Sequence, residues 1–545
     1  MIGARRTTCT FCLNGCESAV VFDGYQYRME YVEDGKVNLG RLCPRGNSAN
    51  LIIDHPSRLS YPLLDGRETN WSSALEQAKG WLASMVPEQV AVAYSRGLTD
   101  RELGLVAGFA KAIGTKNLVC GHIEPENSFN YKAEGVKPAT LDQIRGAKAM
   151  LLVGDVFMTS PVAAGPMIDA RYADADSRLV VIDSIRTRQS GFAHVFIQVQ
   201  PGTEPFALMA LAGMLDRKLK GIDVDRMARL AGADKAKLEA AAKVMGSGAA
   251  GFVGSAMHLG RVRYPVLHSL ASQLVAQKAG MSFVGFGEGR VPIGPTSFPR
   301  LCQAVEAGSI RMLFWFGGLY PYSYPELVPE FGRIEHRVAT SIFLPGSALP
   351  GYVLPVPSEL EKETVGHSYW GQVDRSPVAT VYSGARDVSW IIEQFAPGVG
   401  PAALDEPAAS EPNDIVSRAA ETAAGYSTPE AEWTLVGEKR AVGIKGIYDA
   451  EDWVNMSPAD AARLELCDES YVRVDSDASG DEFRVHVTDL VPAGVLAIGV
   501  NRHSNRAMFP LKTGRLEETA IPPTPVNVAK SARLAKPAPE AKAEA

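Results

Sequence analysis

Cysteines are the residues with the most chemistry to offer here. Four of the seven, Cys9, Cys12, Cys16 and Cys43, fall within the first 43 positions. The spacing is Cys9-x2-Cys12-x3-Cys16, then 26 residues, then Cys43. Three thiolates on one tight loop can cap three corners of a cubane, and a returning segment must supply the fourth. Soft thiolates in a set of four suit a [4Fe–4S] cluster or a tetrahedral zinc, and left unmetallated they are structural thiols. Zinc usually takes two Cys-x2-Cys pairs, and a second pair is missing, so the cluster leads. A chain of this length can bury a core without disulfides, which sets a crosslinked reading aside.

A second constellation is Cys120-Gly121-His122, followed by Glu124-Pro125-Glu126-Asn127. A thiol two residues from an imidazole can ligate a metal or handle a proton. A buried Cys packing as a small hydrophobe is the plain alternative. Three strand-like runs end in chemistry-bearing turns: Val153-Gly154-Asp155, Ile182-Asp183-Ser184 and Phe316-Gly317-Gly318. Val199-Gln200-Pro201-Gly202-Thr203-Glu204 is a turn whose backbone N–H groups can point at an anion. Phe286-Gly287 opens a glycine-rich loop that lets backbone approach a flat ligand.

The elements that must hold these residues read as follows. Val90–Tyr94, Ala149–Val153, Leu179–Ile182 and Met312–Phe316 are short apolar runs. Helical periods such as 72–85 and 225–245 alternate with them. Buried strands alternating with helices predict a parallel α/β sheet covered on both faces, with ligands at the carboxyl ends of the strands. Residues 1–60 read as a small cluster module, 61–395 as an α/β body of two interleaved domains, and 396–432 as a Pro/Ala/Glu/Ser-rich linker. Strand patterns over 433–530 read as a β-barrel, and 531–545 as a disordered tail.

The chain has 545 residues, room for about three or four domains. A net charge of -7 argues against nucleic-acid binding by charge alone. No run approaches the roughly 18 apolar residues of a membrane span. Arg5-Arg6 has no apolar segment behind it, so a cytoplasmic protein without membrane insertion is expected.

Gly40-Arg41-Leu42-Cys43-Pro44-Arg45-Gly46, then His55-Pro56-Ser57-Arg58-Leu59, resembles the amino terminus of the molybdopterin oxidoreductases, which include formate dehydrogenases and nitrate reductases. The resemblance continues through Gly154-Asp155, Asp183-Ser184-Ile185-Arg186-Thr187, Pro201-Gly202-Thr203 and Tyr352–Glu363. It ends in the barrel at Asn501-Arg502-His503-Ser504-Asn505. The chain departs from it at Asp155, where Asn is usual, at the missing Asn after Gly317, and at 365–374.

The resemblance implies a [4Fe–4S] cluster on Cys9, Cys12, Cys16 and Cys43, with Arg45 between cluster and pterin. It implies bis-molybdopterin guanine dinucleotide carrying Mo or W, contacted at Gly154, Asp155, Asp183, Arg186, Pro201, Gly202, Thr203, Gly287, Gly317, His503 and Asn505. Cys120 and His122 are the catalytic candidates. A carboxylate at the offset of Glu126, or no protein ligand at all, stays open. The implied activity is oxidation of formate or a formyl group. Electrons would pass to an iron–sulfur or flavoprotein partner subunit. The alternative is a catalytically inactive relay or scaffold subunit of a larger redox complex.

Overall fold

The structure is a computed structural model that describes residues 4–287, 291–318, 331–343, 351–379, 381–404, 406–438, 453–500, 508–509, 512–513, 519–520 and 522–531. Two open sheets form the body. One has five strands in the order Val195–Gln198, Arg178–Asp183, Ala149–Val153, Gly251–Ala256, Ser282–Phe286, and every pair is parallel. The other has seven. Its order is Arg67–Glu68, Leu63–Leu64, Tyr352–Pro355, His336–Ser341, Met312–Phe316, Val90–Tyr94, Asn117–Cys120, with antiparallel pairing only at the edge that holds the first two.

The chain therefore leaves the seven-stranded sheet after Cys120, builds the five-stranded one, and returns at Met312. Parallel strands need crossovers, and these are helices whose ends the sequence marks. Helix Asp100–Ala112 starts at Thr99, where the Thr99 hydroxyl accepts the Glu102 N–H and the Glu102 carboxylate accepts the Thr99 N–H. The expected run 225–245 is two helices, Val224–Ala231 and Lys235–Met245, split where Gly232 takes φ 63°. Helix Glu204–Leu215 is apolar on every side and accordingly sits inside a layer, packed by Val224–Ala231 and Pro265–Lys278.

The amino-terminal residues form a three-stranded antiparallel sheet, Arg5–Thr8, Glu17–Phe22 and Tyr27–Tyr31. Two ion pairs staple distant segments to the body. Arg58 Nη2 meets Glu361 Oε2 at 2.8 Å with neither side chain exposed, and Lys362 meets Glu102 at 2.9 Å. Glu361 also accepts the Ser358 hydroxyl and the Tyr382 N–H, so the buried carboxylate is fully engaged. Breaking such a pair from one side costs about 3–5 kcal/mol, because a charge is left buried alone.

The carboxyl-terminal part closes a six-stranded barrel from Trp433–Glu438, Val495–Gly499, Trp453–Met456, Gly480–Val487, Tyr471–Asp475 and Thr524–Lys530. The stretch expected to be a plain linker, 396–432, instead carries helix Pro412–Gly425. Its Ile415, Val416, Ala419 and Ala423 are buried against the body helices. Composition hid a 3.6-residue apolar stripe. The tail expected to be disordered lies outside the described residues beyond Ser531.

Candidate functional site

The loop from Cys9 to Cys16 folds back on itself, with the Cys9 N–H donating to the Cys16 carbonyl at 2.8 Å. Gly15 takes φ 72° to make that reversal. Cys43 caps the short helix Pro44–Asn47 and brings its thiol to the same place. Cys9, Cys12, Cys16 and Cys43 all line one small cavity, closed by Leu42, Gly46 and Pro161. A Cβ at Gly46 would come to 3.5 Å from the Cys9 sulfur, so the missing side chain keeps that wall open.

Burial pushes the Cys9 thiol up to about 12 and raises Cys12 and Cys16 as well, and the neighbouring thiols raise Cys9 and Cys16 further. The Phe11 N–H and the buried Arg45 oppose this at Cys9, and Arg45 leads the opposition at Cys12, with the Asn14 N–H and the Ser160 hydroxyl. Thiols raised in this way become ligands only if a positive centre takes their protons' place. Among the described residues, no three or more His, Cys, Asp or Glu side chains close on a single-ion geometry. The cavity brings the four cysteines together.

Arg45 also connects the cavity to the five-stranded sheet. Its Nη2 donates to the Thr159 carbonyl at 2.8 Å. The Thr159 hydroxyl lies 3.2 Å from His258 Nε2, which lies 3.2 Å from the Asp155 carbonyl. A second bridge runs through Tyr369. Its N–H donates to the Leu13 carbonyl, and its hydroxyl meets Ser160 Oγ at 2.9 Å and accepts the Gly287 N–H at 2.8 Å.

Because the five strands are parallel, their carboxyl ends form one edge, and Asp155, Asp183 and Glu204 meet there around Arg261. Arg261 is paired with Asp183, and both are buried. Burial is the leading cause that raises all three carboxyls, Asp155 to about 7 and Glu204 to about 8, with Arg261 opposing. Gly154 has to be glycine: φ is 68° and a Cβ would stand 2.2 Å from the Ala256 carbonyl oxygen. The Pro201-Gly202-Thr203 turn already faces an anion, because the N–H groups of Gly202 and Glu204 point at the Glu204 carboxyl. The Thr203 hydroxyl is spent on the Gln200 and Ala231 carbonyls.

Cys120 ends its strand beside a pocket of about 90 Å³ that it lines with His122, Glu124, Asn127, Ser297 and Phe298. The thiol donates to the His122 carbonyl at 3.8 Å and accepts the Asn127 amide at 3.5 Å. Burial pushes it up to about 12. Glu126 is buried, and its side chain packs where a Cβ on Gly287 would be.

No family model matches the chain. Part of it is similar to the F420-dependent formate dehydrogenase 1 subunit alpha of Methanococcus maripaludis, 25% identical over 221 residues, 38% of this chain and 32% of that one. It is similar to the NADPH-Fe(3+) oxidoreductase subunit alpha of Geobacter sulfurreducens, 25% identical over 278 residues, 44% and 32% of the two chains. The assimilatory nitrate reductase of Haloferax mediterranei is 30% identical over 243 residues, 41% and 32%. These matches span about a third of the relatives' own length. Among solved structures, acetylene hydratase from Pelobacter acetylenicus shares the fold, with TM-score 0.73 at 13% identity over 97% of this chain and 100% of that one. The likeness is thus to oxidoreductase subunits over part of the chain, and to the acetylene hydratase fold over nearly all of it.

The other sequence candidates lie as follows. Gly317 sits on the seven-stranded sheet, and its N–H donates to the Thr340 hydroxyl at 3.0 Å. The Arg186 N–H donates to the Leu490 carbonyl at 2.7 Å, and its guanidinium covers Phe196, so it works at the joint with the barrel. Gly202 packs against Pro523, a second barrel contact. His503 and Asn505 lie outside the described residues. His367, in the departing segment 365–374, forms an exposed pair with Asp100 at 2.9 Å.

Tyr369, His258 and Arg261 are the residues that sequence reasoning passed over. For His258 and Arg261 a signal existed, since both follow strand Gly251–Ala256 at its carboxyl end. No helix among the described residues is long and apolar enough to cross a membrane.

Proposed function

We propose that the chain is the catalytic subunit of a molybdenum- or tungsten-dependent oxidoreductase that oxidises formate or a formyl group and passes the electrons to a partner subunit. The observation that carries the reading is the cavity shared by Cys9, Cys12, Cys16 and Cys43, with Arg45 running from it to the sheet edge. Four thiols on one cavity, with no second Cys-x2-Cys pair in the sequence, suit a multi-iron cluster. The edge holding Asp155, Asp183 and Glu204, with the barrel joined to it at Arg186 and Gly202, is where the dinucleotide would lie. It fits a polar ligand: Asp183 Oδ2, Ser184 Oγ and Glu204 Oε2 are buried and have no hydrogen-bond partner among the described residues.

The bound pterin cofactor would supply a metal centre that accepts two electrons. The protein's part is positional. The pocket at Cys120 has room for a molecule of a few heavy atoms, which supports a one-carbon substrate. His122, Glu124, Asn127 and Ser297 are among the polar groups that can orient it there. The four cysteines would hold a cluster able to pass electrons one at a time to an iron–sulfur or flavoprotein partner subunit. The names of the relatives, several of them alpha subunits and some of them formate dehydrogenases, support the same reading.

The test is analysis of anaerobically purified protein for Fe, Mo, W and released guanine nucleotide. About four iron with one Mo or W and two nucleotides per chain is expected. Four iron with neither metal nor nucleotide would overturn the catalytic reading in favour of a relay or scaffold subunit.

A further inference from the structure

Asp183 is already occupied by the protein itself. Its Oδ1 accepts the Ser184 N–H at 2.7 Å and also pairs with Arg261, while Oδ2 stays without a partner among the described residues. Arg261 is the cation at the centre of a ring of carboxylates: besides Asp183, it lies within the electrostatic reach of Asp155, Glu204 and Glu438. Asp155, Asp183 and Glu204 are buried. Without Arg261 this group would hold several buried acids and no counter-charge, an arrangement that strongly destabilises a fold.

A guanidinium is planar and presents parallel N–H donors matched to a carboxylate. The Watson–Crick edge of guanine, with N1–H and N2–H2 side by side, offers a carboxylate the same donor pattern. We propose that Arg261 is a built-in stand-in for the nucleobase. It neutralises Asp183 while the dinucleotide is absent and is displaced when the base edge takes both carboxylate oxygens.

The fold leaves the side chain somewhere to go. The backbone at Gly260 is fixed against Gly437 and Phe509, so only the side chain need swing. Glu438, at the end of barrel strand Trp433–Glu438, is a further acid within the electrostatic reach of Arg261, and its carboxylate also accepts the Asn455 amide at 2.9 Å. Arg261 would then hold Asp183 in the empty protein and give it up to the base in the loaded one. This rests on the dinucleotide reading of Asp183 given above.

The experiment compares thermal unfolding of the full chain in two forms, one expressed in a host that makes the pterin dinucleotide and one in a host that does not. Each is made as wild type, R261M and R261K. Guanine nucleotide released by acid is measured on every sample.

The stand-in role expects R261M to lower Tm of the empty protein by several degrees and R261K by less. Loaded R261M should match loaded wild type in Tm and in nucleotide content. An equal Tm drop in both forms would make Arg261 a permanent structural partner of Asp183 and overturn the proposal. A nucleotide content reduced by half or more in R261M and R261K would make it a binding residue, which also overturns it. Absence of guanine nucleotide from loaded wild type would instead sink the dinucleotide reading itself. If R261M does not accumulate, R261K alone decides, because it keeps the charge and loses the paired donors.

Discussion

The protein buries cysteine thiols in two places and treats them differently. In the amino-terminal cavity, four sulfurs face one another and a buried arginine opposes the burial that raises two of them. At the end of strand Asn117–Cys120, a single thiol sits with no cation among the groups that shift it. Its hydrogen bonds are complete within the chain: it donates to a carbonyl and accepts from the Asn127 amide. Burial alone raises a thiol in either setting, so burial does not distinguish a ligand from a core residue. Company does. Several thiols grouped beside a guanidinium could share a positive centre, whereas a lone thiol with its hydrogen bonds made is stable as it is.

The largest effect that could break this contrast is at Cys12. In Cys12→Ser the iron content is expected to fall from about four per chain toward zero, and the paramagnetic signal of the reduced protein should vanish. Guanine nucleotide and Mo or W should remain, since Asp155, Asp183 and the barrel are untouched. Iron retained in full would mean that the cavity is no cluster site, and the two thiol regions would then be alike.

The same logic of company extends to acids, and there pH is the probe. Asp155 and Glu204 are pushed up to about 7 and about 8 from ordinary values of 3.8 and 4.5, with burial as the first cause. The folded protein therefore binds more protons than the unfolded chain between those limits. Their contribution to stability is fully present below about pH 4 and is lost as pH rises through 7 and 8. For the cofactor-free protein this amounts to a few kcal/mol at most, because the groups are coupled through Arg261. Denaturant midpoints should decline from pH 5.5 to 8.5, and Glu204→Gln should remove a large part of the slope. A flat profile in the wild type would show that Arg261 neutralises the edge completely.

What could be read from the sequence follows from range. The cysteine loop was legible because three ligand candidates lie within eight residues and the fourth opens a helix at Pro44. The strands at Val90–Tyr94, Ala149–Val153 and Met312–Phe316 were legible because each is apolar throughout and buried on both faces. Arg261 and Tyr369 were not, because their partners lie 78 residues away at Asp183 and 209 away at Ser160. Nothing local marks Tyr369, and Arg261 carries only its place after the carboxyl end of strand Gly251–Ala256.

Segments 55–59 and 359–363 show the opposite error of emphasis. They stand out as motifs, yet Arg58 and Glu361, 303 residues apart, spend their charges on each other. The helix Pro412–Gly425 was hidden by its alanines and flanking prolines, which composition reads as linker while Ile415 and Ala419 carry the buried stripe.

The smallest effect is expected at Cys120, and it sharpens the comparison most. The thiol packs in the same core as Tyr94, Leu118 and Val291, so Cys120→Ala removes one buried atom and leaves the Asn127 amide short of an acceptor. That costs about 1–2 kcal/mol, read as a small fall in denaturant midpoint. If Cys120 is a wall of the reaction pocket, as its complete hydrogen bonding indicates, formate oxidation with an artificial acceptor should fall less than about tenfold, which corresponds to 1.4 kcal/mol of barrier. Iron and Mo or W content should not change. Loss of all turnover at unchanged metal content would show that the metal's own charge strips the thiol of its proton and takes the sulfur as ligand. The contrast between the two regions would then lie in when each thiol ionises: among its neighbours in the cavity, and only on metal arrival at Cys120.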